Sequence, residues 1–126
     1  MWFSIGFGDS MFETDMIAWH ANGTNSYVED YYSKRRAAPK IDDQRDVEFI
    51  FGQVPASSPT DYPKVYFMTW RPLDTGDTEE DFLIPLNADI DMVWSFRSDD
   101  SDWRIHIRRG YFNIQLDKSL GNPDYV

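Results

Sequence analysis

Apolar and polar residues alternate with a period close to two along most of the chain, and no stretch has the 3.6-residue period of an amphipathic helix. Turn-forming clusters such as Asn22–Gly23 and Asp74–Asp77 separate the alternating runs. Several short strands with regular turns are typical of an antiparallel sandwich or barrel. We therefore expect a single all-β domain over residues 1–126. The predicted strands are Trp2–Phe7, Asp15–His20, Tyr27–Tyr32, Val47–Phe51, Lys64–Trp70, Met92–Arg97, Trp103–Arg108 and Tyr111–Leu116.

Two of these predicted strands carry further expectations. Lys64–Trp70 is apolar on both faces from Val65 onward, so we expect it to be central in its sheet or covered by a flat ligand. In Trp103–Arg108 the alternation predicts that Ile105 and Ile107 face the core. His106 then lies on the opposite face, between two arginines.

The composition excludes several classes of protein. The 126 residues are 41% hydrophobic and 17% aromatic, enough to fill one globular core. The net charge of −10, from 22 acidic and 12 basic residues, disfavours nucleic acid and anionic membrane surfaces as partners. No apolar run approaches the roughly 18 residues of a membrane span, so we expect no membrane insertion of this chain. The absence of cysteine excludes disulfides, thiolate metal sites and covalent haem attachment.

Most motifs that carry chemistry are missing or incomplete. There is no nucleophile elbow and no glycine-rich phosphate loop. Asn87–Asp91 has the oxygen spacing of a calcium loop but lacks its glycine and its closing glutamate. We predict a solvated turn there, with a weak cation site as the alternative. The acidic run Thr78–Asp81 is predicted to be exposed loop charge, and His20, at a strand end, is expected to be exposed.

A thioether and an imidazole remain as candidate ligands. Met11 lies in the tight glycine-containing connection that leaves the first predicted strand, and His106 lies near the other end of the chain. Judged from the residues alone, Met11 filling a gap in the core and His106 as an exposed strand histidine form the alternative to a ligand pair.

Several motifs follow one another along the chain: the aromatic–glycine strand and Ser-Met of Trp2–Met11, the Thr-Asp-Met of Thr14–Ile17, the V-x-D-Y-Y pattern of Val28–Tyr32, Asp42–Val47, Arg71–Asp77, Val93–Phe96 and His106–Gly110. In this order they resemble the DOMON family. Arg71–Asp77 is similar to that family's R-x-L-x-T-G-D segment, and His106–Gly110 is similar to its H-x-x-R-G segment.

The resemblance implies a fold, a cofactor and a function. The fold is an immunoglobulin-like antiparallel β-sandwich. Haem-binding members, such as the cytochrome domain of cellobiose dehydrogenase, hold non-covalent haem b between a methionine and a histidine, whose positions match Met11 and His106. Such a domain transfers electrons to a redox partner protein or membrane cytochrome and is not itself an enzyme. Other members bind no haem, so a structural, adhesive or sugar-binding module is the alternative.

Four neighbouring residues are candidate haem contacts under this resemblance. Tyr32 is expected at the haem edge or a propionate, and Trp94 is expected to pack against the ring. Arg104 and Arg108, on either side of His106, are expected to pair with the propionates. Core packing and ordinary surface charge are the alternatives for these four residues.

The chain departs from the family pattern at its N-terminus and in one loop. Family members carry strands before the aromatic–glycine strand, so we expect a fragment of a longer protein, or a partner that covers the edge of Trp2–Phe7. We expect an extracellular or membrane-associated protein, and the sequon Asn22–Thr24 is a candidate glycosylation site. Lys34–Arg36 forms a small basic patch, either a docking point for an acidic partner or a solvated loop.

Overall fold

The protein is built from β-strands joined by turns. The computed structural model describes residues 1–22, 25–53, 66–98 and 105–117, and this part of the chain contains no helix, hence none long and apolar enough to cross a membrane. The strands are β1 (Trp2–Phe7), β2 (Thr14–Asn22), β3 (Asn25–Ser33), β4 (Lys40–Ile41), β5 (Glu48–Gln53), β6 (Tyr66–Trp70), β7 (Asp89–Arg97) and β8 (Arg108–Gln115). The all-β prediction is confirmed.

The strands form two antiparallel sheets. The larger sheet has six strands in the order β4-β3-β2-β1-β7-β8, and the smaller one pairs β5 with β6. β1 is central in the large sheet, because Ile5 is paired with Ile17 of β2 on one side and with Trp94 of β7 on the other. Trp2–Phe7 therefore has a strand neighbour on each side, so the predicted uncovered edge of this strand is not observed. This arrangement agrees with the predicted antiparallel sandwich.

Each face of the large sheet carries an apolar cluster. Successive strand residues point to opposite faces, so Met16 and Ile17 belong to different clusters. The first face carries a buried cluster of Phe7, Ile17, Ile90 and Met92. The small sheet and the segment before β7 cover it: the ring of Trp19 lies 6.4 Å from that of Phe67, and Phe7 stacks on Phe82 at 5.4 Å. The second face carries Met16, Ala18 and Tyr31.

The prediction of a central strand at Lys64–Trp70 is wrong in its described part. β6 belongs to the two-stranded sheet, and the side chains of Met68 and Trp70 are about half exposed, at 49% and 52%. Lys64 and Val65 lie outside the described residues. Alternation identifies a strand that is apolar on both sides, but the number of neighbouring strands is decided by long-range pairing. The two-sided burial predicted for β6 belongs instead to β1 and β2.

The predicted strand Trp103–Arg108 is also corrected. β8 begins at Arg108, and residues 105–107 lie before it outside any strand. Ile105 and Ile107 are 79% and 51% exposed, so they do not face the core. Ile107 N–H donates to the Phe96 carbonyl at 2.9 Å, and this hydrogen bond directly precedes the pairing of β8 with β7. Trp103 lies outside the described residues.

His20 is buried, contrary to the expectation of an exposed position. β2 continues past it to Asn22, and only 1% of His20 is exposed. Its ring stacks on that of Tyr27 at a centroid distance of 4.6 Å, and its Nε2 lies 3.4 Å from the Tyr31 hydroxyl. The sequence predicts that β2 ends at His20, two residues too early, because Asn22–Gly23 is a strong turn signal.

Candidate functional site

A cavity of about 380 Å³ lies on the second face of the large sheet. Its floor comes from four neighbouring strands, because Trp2, Met16 and Val93 project from β1, β2 and β7 onto this face, beside β8. Loop residues form the walls. The full lining is Trp2, Ser10, Met11, Met16, Arg36–Pro39, Val93–Ser95, Ile105, His106 and Arg109–Tyr111. Most of these side chains are apolar, and the cavity is therefore suited to a ligand with a large apolar surface.

Met11 and His106 line this one cavity from different loops. The structure thus brings together the two candidate ligands, which lie near opposite ends of the sequence. Both side chains are half-buried. A half-buried thioether and imidazole at one cavity are available to a bound group, and this favours the ligand interpretation over gap filling and over an isolated exposed histidine.

Local hydrogen bonds fix the loop that carries Met11. Gly8 adopts φ 147°, a backbone conformation that favours glycine, and its N–H donates to the Asp91 carbonyl at 2.8 Å. Thr14 closes the loop because its hydroxyl lies 2.6 Å from the Ser10 carbonyl and 2.9 Å from that of Phe12. The thioether is therefore held on a short connection with both ends tied to the sheet.

The segment that carries His106 is held on both sides in the same way. Before it, the Arg97 side chain donates to the Ile105 carbonyl at 2.6 Å; after it, Ile107 N–H donates to Phe96. His106 therefore projects from a short held segment directly before β8, and not from a strand as predicted.

The lining contains two arginines that sequence reasoning did not assign to the site. Arg36 comes from the loop after β3, and Arg109 from β8. Their positive charge suits a ligand that carries carboxylates. The sequence signal for Arg36 is the basic patch Lys34–Arg36. Arg109 belongs to the H-x-x-R-G motif, but the sequence does not indicate that its side chain lines the cavity. The cavity is thus apolar in its body and basic at part of its wall.

The other four predicted contacts fall in different places. Trp94 lines the cavity. Tyr32 instead lines a separate cleft with Glu13, Lys34, Glu79 and Glu80. Arg108 is exposed and is not among the residues that line the cavity, and Arg104 lies outside the described residues. The start of β8 at Arg108 explains why this residue is not in the cavity lining. Successive strand residues point to opposite faces, so Arg109 and Tyr111 face the cavity and Arg108 points to the other side of the strand.

Gly110 makes room for the Trp94 indole. The two residues are directly paired between β7 and β8, and a Cβ added to Gly110 would lie closer than van der Waals contact to three atoms of the indole. We expect Gly110→Ala to destabilise the protein by about 1–3 kcal/mol, because the indole must move from a packed position. Urea unfolding checks this, with Gln115→Ala, an exposed residue of β8, as the control. Equal unfolding midpoints for the two variants would contradict the expected steric conflict.

Buried carboxylates form a second cluster, on the first face of the sheet. Asp15 and Asp30 are each 3% exposed, and the side chain of Asp81 is 1% exposed. The prediction that Thr78–Asp81 is exposed loop charge is therefore wrong for Asp81. Arg71 Nη1 lies 2.6 Å from Asp15 Oδ2, and Phe82 N–H donates to the same oxygen at 2.8 Å. Arg71, the first residue of the R-x-L-x-T-G-D motif, thus ties this loop to β2 through Asp15.

Burial changes the acidity of this cluster. Removal from water raises the pKa of Asp15 to about 6 and that of Asp30 to about 7, against the lowering effect of backbone hydrogen bonds from Phe82 and Asp46. Burial also raises the pKa of Asp81. Between about pH 4 and pH 7 the folded protein therefore holds protons that the unfolded chain has released.

The free energy of unfolding is expected to fall as the pH rises from 4.5 to 7.5. The sign follows because the folded state binds more protons than the unfolded state over this range, so raising the pH favours unfolding. Urea unfolding in EDTA at several pH values measures it. Asp30→Asn should give a shallower pH dependence, since the side chain no longer titrates. A stability that rises over this range would contradict the assignment.

Comparison with known protein families gives a match. A family model described as DOMON domain matches residues 1–97, about three quarters of the chain. A search of the curated proteins gives no significant match. The matched span contains Met11 and the strands β1 to β7, and it ends before His106.

Proposed function

The chain belongs to the DOMON family, and on that premise we propose that it binds haem b non-covalently and serves as an electron-transfer domain without turnover of its own. Met11 and His106 are the proposed axial ligands. The observation that carries the proposal is their position: two side chains from opposite ends of the chain line one apolar cavity.

The donor set and the walls fit this group. A thioether and an imidazole are a known axial pair for electron-transfer haems, and together they fill both axial positions. A haem is an apolar disc with two carboxylates, and the cavity offers apolar side chains such as Trp2 and Met16 beside Arg36 and Arg109. When bound, haem supplies an iron centre that gains and loses single electrons.

The side chains that line the cavity have different proposed roles in binding haem. Met11 presents a soft sulfur ligand, which favours the reduced state of the metal. His106 presents a ring nitrogen from a loop fixed by the hydrogen bonds of Ile105 and Ile107. Arg36 and Arg109 balance the negative charge of the propionates. Met11 and His106 would both hold the haem iron, so the bound group would supply single-electron transfer and would leave no iron position for oxygen or substrate.

The proposed setting is outside the cytoplasm, in an extracellular or membrane-associated protein. Its partner would be a redox protein or a membrane cytochrome. Lys34 and Arg35 are exposed, next to the Arg36 that lines the cavity. This basic loop gives an acidic redox partner a docking point close to the haem, in a protein whose net charge of −10 repels such a partner elsewhere.

Haem titration tests the proposal. The purified chain, mixed with increasing haemin, should show a sharp Soret band that saturates at one haem per chain. Reduction with dithionite should shift this band and produce the narrow α and β bands of low-spin iron. A chain that stays colourless at micromolar haemin would contradict the proposal, and so would a high-spin spectrum in both oxidation states.

A haem-free binding module is the second candidate function. The family match ends before His106, and Tyr111, which lines the cavity, is 68% exposed. An exposed aromatic ring beside polar groups can stack on a sugar. Retention on cellulose or immobilised glycans, reduced by Tyr111→Ala in a protein that takes up no haem, would favour this function.

A further inference from the structure

The acidic cluster on the first face of the sheet has the features of a cation site. One carboxylate oxygen from each of Asp15, Asp30 and Asp81 lies within 4.8 Å of the other two. These residues come from β2, from β3 and from the loop before β7, which are distant in sequence. The fold therefore gathers three buried carboxylates at one point, on the opposite face of the sheet from the cavity.

Within the residues that the structure describes, the negative charge at this point is only partly balanced. Arg71 is the cation that reaches the cluster, with Nη1 2.6 Å from Asp15 Oδ2 but Nη2 3.9 Å from Asp81 Oδ2. Asp42, 2% exposed, lies near enough to add its negative charge to Asp30 and Asp81. One guanidinium thus faces several buried carboxylates, and buried charge of one sign is costly unless it is compensated.

Unused oxygens provide a second, independent observation. Asp15 uses Oδ2 for Arg71 and Phe82, and Asp30 uses Oδ2 to accept the Asp46 N–H at 3.1 Å. Asp15 Oδ1, Asp30 Oδ1 and both oxygens of Asp81 are buried without a hydrogen-bond partner. Buried polar atoms in folded proteins nearly always have a partner. Each of the three side chains is thus anchored or enclosed and keeps at least one oxygen free.

We propose that Asp15, Asp30 and Asp81 bind a divalent cation, Ca²⁺. Three carboxylates form a hard, all-oxygen donor set, which excludes metals that prefer nitrogen or sulfur. Ca²⁺ fits better than Mg²⁺, because Mg²⁺ retains several waters and this cluster is closed from solvent. The bound ion ties β2 and β3 to the loop before β7. It is a structural ion, separate from the proposed haem function and on the other face of the sheet.

Calcium binding to the metal-free chain tests the proposal. The full chain is freed of metal with a chelator and titrated with CaCl₂ in calorimetry, with no haem present. We expect one Ca²⁺ per chain and a higher unfolding temperature in its presence. Mg²⁺ at the same concentration should give a smaller shift. The site is overturned if the chain binds no Ca²⁺, and the Ca²⁺ assignment is overturned if Mg²⁺ binds more tightly.

Two variants locate the ion. Asp81→Asn removes one free carboxylate, keeps the side-chain size and should weaken Ca²⁺ binding at least tenfold. Asp89→Asn is the matched control, because Asp89 is an exposed aspartate of the calcium-loop-like segment and lies outside the cluster. It should bind Ca²⁺ as the unchanged chain does. Loss of binding in Asp89→Asn, or unchanged binding in Asp81→Asn, would overturn the site. If Asp81→Asn does not fold, Asp30→Asn provides the same comparison.

Discussion

Replacing His106 by alanine is expected to lower the affinity for haem by at least about 100-fold, because changes to groups that only support a metal ligand already cost 10–100-fold. His106 is the nitrogen ligand of the proposed pair and lines the cavity from a segment held by its backbone hydrogen bonds.

Replacing Met11 has a different expected result. Met11→Ala should keep the haem but remove one of its two protein ligands, so the iron becomes high-spin. Haemin titration followed at the Soret band measures both.

Two controls separate these effects from general damage to the protein. Met68→Ala removes an equal thioether from β6, where the side chain is 49% exposed and distant from the cavity residues. Arg108→Ala removes a charge two residues from His106 that does not line the cavity. Both should bind haem as the unchanged chain does. Low-spin iron in Met11→Ala, or full haem affinity in His106→Ala, would contradict the assigned ligands.

Replacing Arg71 by methionine is expected to destabilise the protein by about 3–5 kcal/mol at pH 7.5, since removing one partner of a buried ion pair leaves its charge uncompensated. The Arg71 side chain is 6% exposed, pairs with Asp15 and donates from Nη2 to the Phe82 carbonyl at 2.9 Å. Its guanidinium also lies 5.0 Å from the centre of the Phe7 ring. Methionine retains the apolar length and removes the charge and the donors. Urea unfolding in EDTA measures the loss.

The charge explanation predicts a specific rescue. Asp15→Asn combined with Arg71→Met removes both members of the pair, so the double variant should lose less stability than the sum of the single variants. The loss in Arg71→Met should also shrink at pH 4.5, where protons neutralise Asp15 and Asp30. A loss below about 1 kcal/mol at pH 7.5 would show that this pair does not hold the loop.

The two faces of the large sheet have different expected roles. The first face carries the core, the acidic cluster and the contacts with the small sheet, so changes there should mainly affect stability. The second face carries Met16, Ala18 and Tyr31 beside the cavity, so changes at its lining should mainly affect ligand binding. Haem titration and urea unfolding therefore report on different faces of one sheet.

Parts of the fold and site could be predicted from the sequence, because they depend on local pattern. β1 has the predicted bounds, since alternation over six residues needs no knowledge of the rest of the chain. The candidate ligands Met11 and His106 follow from residue type and motif, and their binding of haem stays a prediction. Residues 105–107 have a pattern that mimics a strand but lie before β8, and this is why the setting of His106 was predicted wrongly.

The sequence by itself determined the all-β class, the family motifs and which residues are candidate ligands, because period-two alternation and short motifs are properties of neighbouring residues. The tertiary structure alone decided which residues meet. It buried His20 beneath Tyr27, placed Asp81 beside Asp15, and brought Arg109 instead of Arg108 to the cavity. Each of these depends on strand pairing between distant segments, and a shift of one residue in that pairing sends a side chain to the opposite face.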